Sequence, residues 1–276
     1  MHVNAPVHQV ELWLGPLAGV HAEILNSDRP FGKHWHDSYG FGVMDEGGHR
    51  SASGRGPVEA MPGNLVTSNP GEVHDGTPLN GASRRWRMVH IAPAAMARLT
   101  ELDEREFTRP VLEDRRLGAA IDRVFGRWEA LRTVDDSANA RALWEESLTQ
   151  ACGLLMQQHS NRKADRAPRA CLDPVRDCLL DQMDAPPSLD QLARLVGLSR
   201  YQLVRQFSID HGLPPFAWLQ QQRLRQASAL IATGTSLAET ATACGFADQS
   251  HLHRHFTRCY GFTPGLWQRA QLNKPQ

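Results

Sequence analysis

The chain has 276 residues, enough for two domains, and its 30 Lys and Arg balance its 30 Asp and Glu. No apolar run approaches the roughly 18 residues of a membrane-spanning helix and the N-terminus lacks a signal-peptide pattern, so we expect a protein of the cytoplasm. The five cysteines show no C-x-x-C spacing, which argues against a disulfide or zinc framework.

The N-terminal part of the chain predicts an all-β domain. Over about residues 8–110 the apolar runs are short, and turn motifs such as Pro62-Gly63 and Pro70-Gly71 recur between them. This pattern is typical of an antiparallel sandwich or a small barrel. The stretch from Met1 to Leu14 is predicted as an arm whose apolar residues fold over a bound ligand.

Histidines mark two places in this domain. His34 and His36 alternate along one predicted strand, and Glu72 and His74 along another, so each pair shares a face. If both faces line the interior, three imidazoles and a carboxylate converge into a site for zinc, iron or manganese. With Tyr39, the same side chains form a set of hydrogen-bonding groups for an organic effector. The third interpretation is that the histidines are purely structural.

The histidine segments resemble the two halves of a cupin. The first half is HWH at 34–36 with YGFGV at 39–43, and the second is PGNLVTSNPGEVH at 62–74. The cupin pattern has a glutamate four or five residues after His36, where this chain has Gly40 and Phe41. The resemblance implies a cupin-like barrel, and the missing glutamate counts against a cupin enzyme.

Two amphipathic helices are predicted over 115–159. Their apolar residues recur at spacings of three and four, from Leu117 to Leu131 and from Leu143 to Leu155. These stripes either cover one side of the barrel or mediate a homodimer. Residues 160–170 are polar and contain a proline, so they predict a linker between an effector-binding domain at 1–159 and a second domain at 171–276.

The second domain contains the same helical unit twice. A shift of 48 residues places Ser188 on Ser236, and after one inserted residue a shift of 49 places Arg205 on Arg254. Each copy has the pattern of a helix-turn-helix motif, with a capping-box serine, a short helix, a glycine and a second helix. The stretch from Pro214 to Ala232 predicts one helix joining the copies. About 18 residues at 1.5 Å each give a rod of roughly 27 Å, which suits two successive major grooves.

The second helix of each copy carries side chains suited to base edges and phosphates. A solvated helix face is the plain alternative, but a full repeat of the plan favours DNA binding. From residue 199 onward, eight Lys and Arg stand against three Asp and Glu, a balance that also fits DNA. The predicted DNA-contacting residues are Arg200, Tyr201, Gln202, Val204 and Arg205 in the first copy, and Gln249, Ser250, His251, His253 and Arg254 in the second.

The segment GFADQSHLHRHFTRCYGFTP at 245–264, preceded by QRLRQASALI at 222–231, resembles the AraC/XylS transcription regulators over about residues 172–270. The resemblance implies a seven-helix DNA-binding domain behind a sensor domain, with operator DNA, a small effector, a second copy of the chain and, for an activator, RNA polymerase as partners. It places base contacts on Tyr201, Val204, Arg205, Gln249, Ser250, His251 and Arg254. Val204 departs from the polar residue common at its position, which predicts weaker base readout by the first copy.

We therefore predict a sequence-specific transcription regulator controlled by a small effector, and not an enzyme. One alternative is a cupin metalloenzyme, such as a dioxygenase or isomerase, that carries an autoregulatory DNA-binding domain. Another is an alkyl-damage sensor with the same type of DNA-binding domain. The latter needs a reactive cysteine cluster near the N-terminus, and the first cysteine here is Cys152.

Overall fold

The computed structural model describes residues 7–102, 105–133, 137–162 and 172–272. These residues form two compact units, one that ends at Arg162 and one from Leu172 to Leu272. Within the described ranges, no helix has the length and apolar character needed to cross a membrane.

The first unit is built on two antiparallel sheets. Its strands are β1 (His8–Leu14), β2 (Val20–Ser27), β3 (Phe31–His34), β4 (Tyr39–Glu46), β5 (His49–Ser53), β6 (Gly56–Ala60), β7 (Leu65–Ser68), β8 (His74–Pro78), β9 (Arg84–Ile91), β10 (Arg105–Phe107), β11 (Val111–Leu112) and β12 (Ser160–Arg162). The six-stranded sheet has the order β1-β2-β9-β4-β7-β11, and the four-stranded sheet has the order β3-β8-β5-β6. The all-β prediction is confirmed. The sheets are cupin-like but do not close into the predicted barrel.

Alternation along the central strands gives the six-stranded sheet two different faces. On one face Ala22, Phe41 and Val89 are fully buried in the apolar core. The other face carries histidines and the two glycines of β4, Gly40 and Gly42. A Cβ at Gly42 would overlap the carbonyl oxygen of Arg87 on the neighbouring strand, so this position needs glycine.

Helices cover the apolar face of this sheet. They are α1 (Pro93–Thr100), which the sequence did not predict, α2 (Arg115–Thr133) and α3 (Ser137–Gln158). Trp128 of α2 and Trp144 of α3 are fully buried and meet edge to face, with ring centroids 4.8 Å apart. The Trp128 Nε1–H donates to the carbonyl of Leu14 at 3.3 Å. The predicted apolar stripes are therefore buried within the unit itself.

Two segments predicted as free chain are strands. His8–Leu14 pairs with β2, and Trp13 is buried with its ring 6.0 Å from that of Phe125. This stretch belongs to the core and is not an arm over a ligand, while residues 1–6 lie outside the described residues. Ser160–Arg162 pairs with β10, so the first three residues of the predicted linker belong to the first unit. Residues 163–171 also lie outside the described residues.

The described part of the second unit contains seven helices, as predicted. They are α4 (Asp173–Asp181), α5 (Leu189–Leu195), α6 (Arg200–His211), α7 (Pro215–Ala232), α8 (Leu237–Ala243), α9 (Gln249–Tyr260) and α10 (Pro264–Leu272). The capping boxes at Ser188 and Ser236 are present. Gly212 and Gly261 end α6 and α9 with φ of 75° and 82°, a conformation that favours glycine.

Candidate nucleic-acid interface and inter-sheet site

The helices α6 and α9 occupy equivalent places in the two helix-turn-helix copies. Leu203 and Phe207 of α6 are fully buried, and so are Leu252 and Phe256 of α9. The opposite faces are open to solvent. Of the predicted DNA-contacting residues, eight are exposed, namely Arg200, Tyr201, Gln202, Arg205, Gln249, Ser250, His253 and Arg254, while Val204 and His251 are half-buried.

Three of these side chains also have local partners that the sequence did not show clearly. The Gln202 amide oxygen accepts from the backbone N–H of Ser199 at 2.9 Å, which completes a capping box at the start of α6. His251 Nδ1 accepts from the backbone N–H of Ala247 at 3.3 Å. The guanidinium of Arg200 lies 3.2 Å from the Asp190 carboxylate. Gln202 and His251 therefore help to form the turns that present the helices.

Helix α7 holds both copies in place. Its Trp218 meets Phe207 of α6 edge to face, with ring centroids 5.7 Å apart. Its Ser228 carbonyl accepts from Trp267 Nε1 of α10 at 3.0 Å. The Cys259 thiol of α9 donates to Gln221 Oε1 of α7 at 3.4 Å. The separation of α6 and α9 is thus set by one helix of 18 residues that packs against both of them.

Histidines from both sheets of the first unit meet between the sheets. On the six-stranded sheet, His90 of β9 lies beside His21 of β2 and Gly40 of β4. On the four-stranded sheet, His34 of β3 pairs with His74 of β8, with ring centroids 4.5 Å apart. His36 bridges the two sides, because its ring centroid is 5.5 Å from that of His74 and 5.1 Å from that of His90. We call His21, His34, His36, His74 and His90 the inter-sheet histidine cluster.

Hydrogen bonds fix how the cluster presents its ring nitrogens. His34 Nδ1–H donates to the Gly32 carbonyl at 2.7 Å, and His74 Nδ1–H donates to the Glu72 carbonyl at 2.9 Å. Because Nδ1 carries the proton in both neutral rings, Nε2 carries the lone pair. Burial lowers the pKa of His34 to about 3, and it lowers the pKa of His74 as well. The rings are therefore neutral near pH 7 and able to bind a metal ion or a hydrogen-bond donor.

Three of the predicted site residues come together, and two do not. His34, His36 and His74 place one ligand atom each within 4.8 Å of one another. The Glu72 carboxylate instead accepts from Arg55 Nε at 2.6 Å and Nη2 at 2.7 Å. Tyr39 lies on the opposite, apolar face of the sheet, where its hydroxyl donates to the carbonyl of Arg105 at 2.5 Å. The sequence pattern could not show that a distant arginine binds Glu72.

A second group in the same space was missed. His21, Glu23 and His90 also place their ligand atoms within 4.8 Å of one another. Glu23 is only 7% exposed, and burial raises its pKa. The sequence does contain a signal for two of these residues. His21 and Glu23 are two residues apart, which places both on one face of a strand, as the same spacing does for His34 and His36. His90 stands alone in its strand and gave no signal.

The position of Gly40 explains the departure from the cupin pattern. A Cβ at Gly40 would overlap Ser68 Oγ and would lie 3.6 Å from Cε1 of His90. A glutamate at this position of β4 would therefore require the Ser68 side chain to move. The carboxylate that lies next to His90 belongs to Glu23 of β2, the strand that pairs with β9 on the side opposite β4.

Comparison with known proteins assigns both units. Residues 22–150 match the AraC-like ligand binding domain, and residues 192–270 match a helix-turn-helix domain model. The HTH-type transcriptional regulator YbfI of Bacillus subtilis is 25% identical over 231 residues, which are 80% of this chain and 81% of that protein. The regulatory protein Ada of Salmonella typhimurium is 31% identical over 109 residues, which are 39% of this chain and 31% of Ada.

The fold agrees with this assignment. An apo structure of ToxT from Vibrio cholerae superposes with a TM-score of 0.54 at 11% identity, over 94% of this chain and all of ToxT. A structure of ToxT with a bound unsaturated fatty acid gives a TM-score of 0.51 at 12% identity, over 96% and 95% of the two chains. With a ligand-binding sandwich followed by two helix-turn-helix motifs, the chain belongs to the AraC family of DNA-binding transcription regulators.

Proposed function

We propose that α6 and α9 enter two successive major grooves of operator DNA. Arg205 and Arg254 hold equivalent exposed positions on these helices, so each meets base edges or phosphates of its own groove. Tyr201, which is 74% exposed on the same helix, offers a ring and a hydroxyl to this groove. Half-buried Val204 offers only a methyl surface, and base readout by α6 is correspondingly weaker.

The effector site of this proposal is the space between the sheets. The observation that carries it is a set of three imidazoles, His34 buried and His36 and His74 half-buried, each with one ring nitrogen within 4.8 Å of the others. Such nitrogens accept hydrogen bonds or bind a metal ion, and His34, His36 and His74 are the residues we assign to this role. ToxT, whose fold is similar, has been solved with a fatty acid. The polar lining here favours a ligand with hydrogen-bond donors or a metal.

Regulation rather than catalysis is the activity that the chain supports best. YbfI, which matches over 81% of its length, is named as a transcriptional regulator. The bifunctional transcriptional activator and DNA repair enzyme Ada of Escherichia coli matches over only 27% of its length. A repair role would need a reactive cysteine cluster near the N-terminus, whereas the first cysteine is Cys152, and burial raises the pKa of its thiol far above the ordinary value. A regulator of this kind acts in the cytoplasm, where chromosome and RNA polymerase are.

A homodimer remains a prediction, and fewer surfaces are available for it than the apolar stripes indicated. The apolar stripes of α2 and α3 are buried against the sheet, so they are not available to a second copy. Contact between two copies would use the outward, polar faces of these helices, which include Arg123 and Gln150, joined by a hydrogen bond of 3.1 Å.

The DNA assignment is tested by titrating a selected operator with Arg205→Ala and Arg254→Ala in the full chain. Loss of a base contact costs roughly 1–3 kcal/mol and relaxes specificity at that base pair, whereas loss of a phosphate contact weakens all sequences alike. Arg116→Ala, which removes an exposed arginine of α2, is the control for net charge and leaves affinity unchanged. Unchanged affinity in both α6 and α9 variants would refute the groove assignment.

A further inference from the structure

We propose that His21, Glu23 and His90 form a divalent metal site, and that the carboxylate missing from the cupin position is supplied by Glu23. The inference deepens the proposed effector site, on which it rests. Two imidazoles and a carboxylate with open positions are a ligand set for iron, manganese or zinc. The three residues lie on adjacent strands β2 and β9, so the rigid sheet fixes their spacing.

The distances within the group fit metal ligands better than hydrogen bonds. Glu23 Oε1 lies 3.5 Å from His21 Nε2 and 3.8 Å from His90 Nε2. A charge-assisted hydrogen bond between these atoms would measure about 2.7–2.9 Å. Two ligands bound at about 2.0–2.2 Å to one tetrahedral ion lie roughly 3.4 Å apart. The same carboxylate oxygen thus faces two imidazole nitrogens at close to the spacing that one ion requires.

The other ring nitrogen of His90 is held as metal-binding histidines usually are. His90 Nδ1 lies 3.3 Å from the hydroxyl of Ser38, and in the tautomer in which Nδ1–H donates to this hydroxyl, the lone pair lies on Nε2. The His21 and His90 rings are stacked, with centroids 4.9 Å apart and planes at 12°. A bound ion lies in the plane of each imidazole, and two stacked planes do not meet at an ion, so binding requires the His21 ring to rotate about χ2 while Ser38 holds the His90 ring.

Charge decides between the two groups of ligands in this space. A divalent ion bound by His34, His36 and His74 alone would keep two uncompensated charges in a buried site. Glu23 cancels one of these charges, and it is itself buried at 7% exposure. The ion therefore prefers the Glu23 group. The three-histidine group, whose His36 ring is 5.1 Å from His90, remains available to an organic molecule beside the ion.

The test measures binding of Zn²⁺ and Co²⁺ to the chelator-treated full chain by competition with a chromophoric chelator. We expect one ion per chain, with affinity roughly 100-fold lower in Glu23→Gln and in His90→Asn. Ser38→Ala lowers affinity about tenfold, because it frees the His90 ring. Glu46→Gln, which removes an exposed carboxylate of the same sheet, is the matched control and binds as the unaltered chain does. Melting of the metal-free variants checks that each is folded.

The outcomes separate this inference from the proposed function. Equal affinity in Glu23→Gln and the unaltered chain would overturn the inference, and so would loss of binding in His34→Asn with retention in Glu23→Gln. If the chain binds no metal but binds operator DNA, the metal inference alone fails. If metal binds as expected but Arg205→Ala and Arg254→Ala leave DNA affinity unchanged, the metal inference stands and the groove assignment fails.

Discussion

Arg84 is a cation held between the two sheets of the N-terminal unit. It is completely buried, and its Nε donates to His49 Nδ1 at 2.9 Å. Its Nη atoms donate to the carbonyls of Ser27, Arg29 and Gly76 at 3.4, 3.1 and 3.5 Å. The guanidinium also lies 4.8 Å from the centre of the Trp86 ring. Burial lowers its pKa to about 10, so it stays charged near pH 7. One side chain thus joins β9 to the four-stranded sheet.

Replacing this residue tests the cross-link. Lysine keeps the charge but cannot reach four acceptors that lie in different directions, so Arg84→Lys leaves buried acceptors unpaired. We expect a loss of about 3 kcal/mol in the free energy of unfolding, measured by urea denaturation. Arg85→Lys, one residue along and exposed, is the control and changes stability by less than about 0.5 kcal/mol. Equal stability of the two variants would show that Arg84 does not cross-link the sheets.

At the scale of elements, α7 determines how the two recognition helices meet DNA. It packs on α6 through Trp218 and on α9 through Gln221, so neither helix moves freely. Its 18 residues span roughly 27 Å, which is close to one DNA turn of about 34 Å. Two grooves on the same face of the duplex are therefore the geometry that α6 and α9 can satisfy together.

Inserting about five base pairs between the half-sites of an operator tests this geometry. Half a turn moves the second groove to the far side of the duplex, so we expect affinity to fall to that of a single half-site. An operator with one scrambled half-site and the original length provides the reference value in the same titration. Full affinity for the expanded operator would mean that α6 and α9 do not bind as a unit fixed by α7.

The elements that could be predicted from sequence are those that depend on local signals. In the helix-turn-helix copies, α5, α6 and α8 begin at capping serines and α9 begins at a capping aspartate, while α6 and α9 end at glycines. Each of these signals lies within a few residues of the helix boundary. The division of the strands into two sheets depends on pairing across long separations, such as β2 with β9. For the same reason, β1 was predicted as part of an arm over a ligand and β12 as part of a linker. A strand at a sheet edge has little sequence pattern of its own.

The candidate site likewise contains residues that local sequence patterns could predict and residues that they could not. The spacing of His34 and His36 predicted a shared face, and the structure brings both to His74. The partner of Glu72 is Arg55, 17 residues earlier, and no local pattern announces that pair. His90 joins the cluster only because β9 lies between β2 and β4. Convergence of residues from different strands follows from topology, which local patterns do not specify.

At the scale of the whole molecule, buried histidines are concentrated in the N-terminal unit. Burial lowers the pKa of His34 and His49 to about 3 and that of His21 and His90 to about 4, from an ordinary value near 6.5. In the second unit, burial also lowers the pKa of His255. The two units should therefore respond differently to acid.

The direction of the response follows from proton binding. Because each folded-state pKa lies below the unfolded value, between about pH 6.5 and 4 the unfolded chain binds protons that the folded chain does not. The stability of the N-terminal unit is therefore complete above about pH 6.5 and is lost as the pH falls. Each histidine contributes at most about 1.4 kcal/mol per pH unit. The four histidines with a folded pKa of about 3 or 4 together lower the free energy of unfolding by roughly 4 kcal/mol between about pH 6.5 and 5.5, and His36 and His74, whose pKa burial also lowers, add to this loss.

Pulse proteolysis in urea, with fragments identified by mass, measures this loss separately for residues 7–162 and 172–272 in chelator-treated protein. We expect the midpoint of the first unit to fall with pH and that of the second to change little. His49→Gln removes one of the six histidines of this unit whose pKa is lowered by burial, and it reduces the pH dependence by about a sixth. His253→Gln, an exposed histidine of α9, is the control and leaves it unchanged. Equal midpoints for the first unit at about pH 7.5 and 5.5 would mean that its histidines titrate alike in the folded and unfolded chain, contrary to their burial.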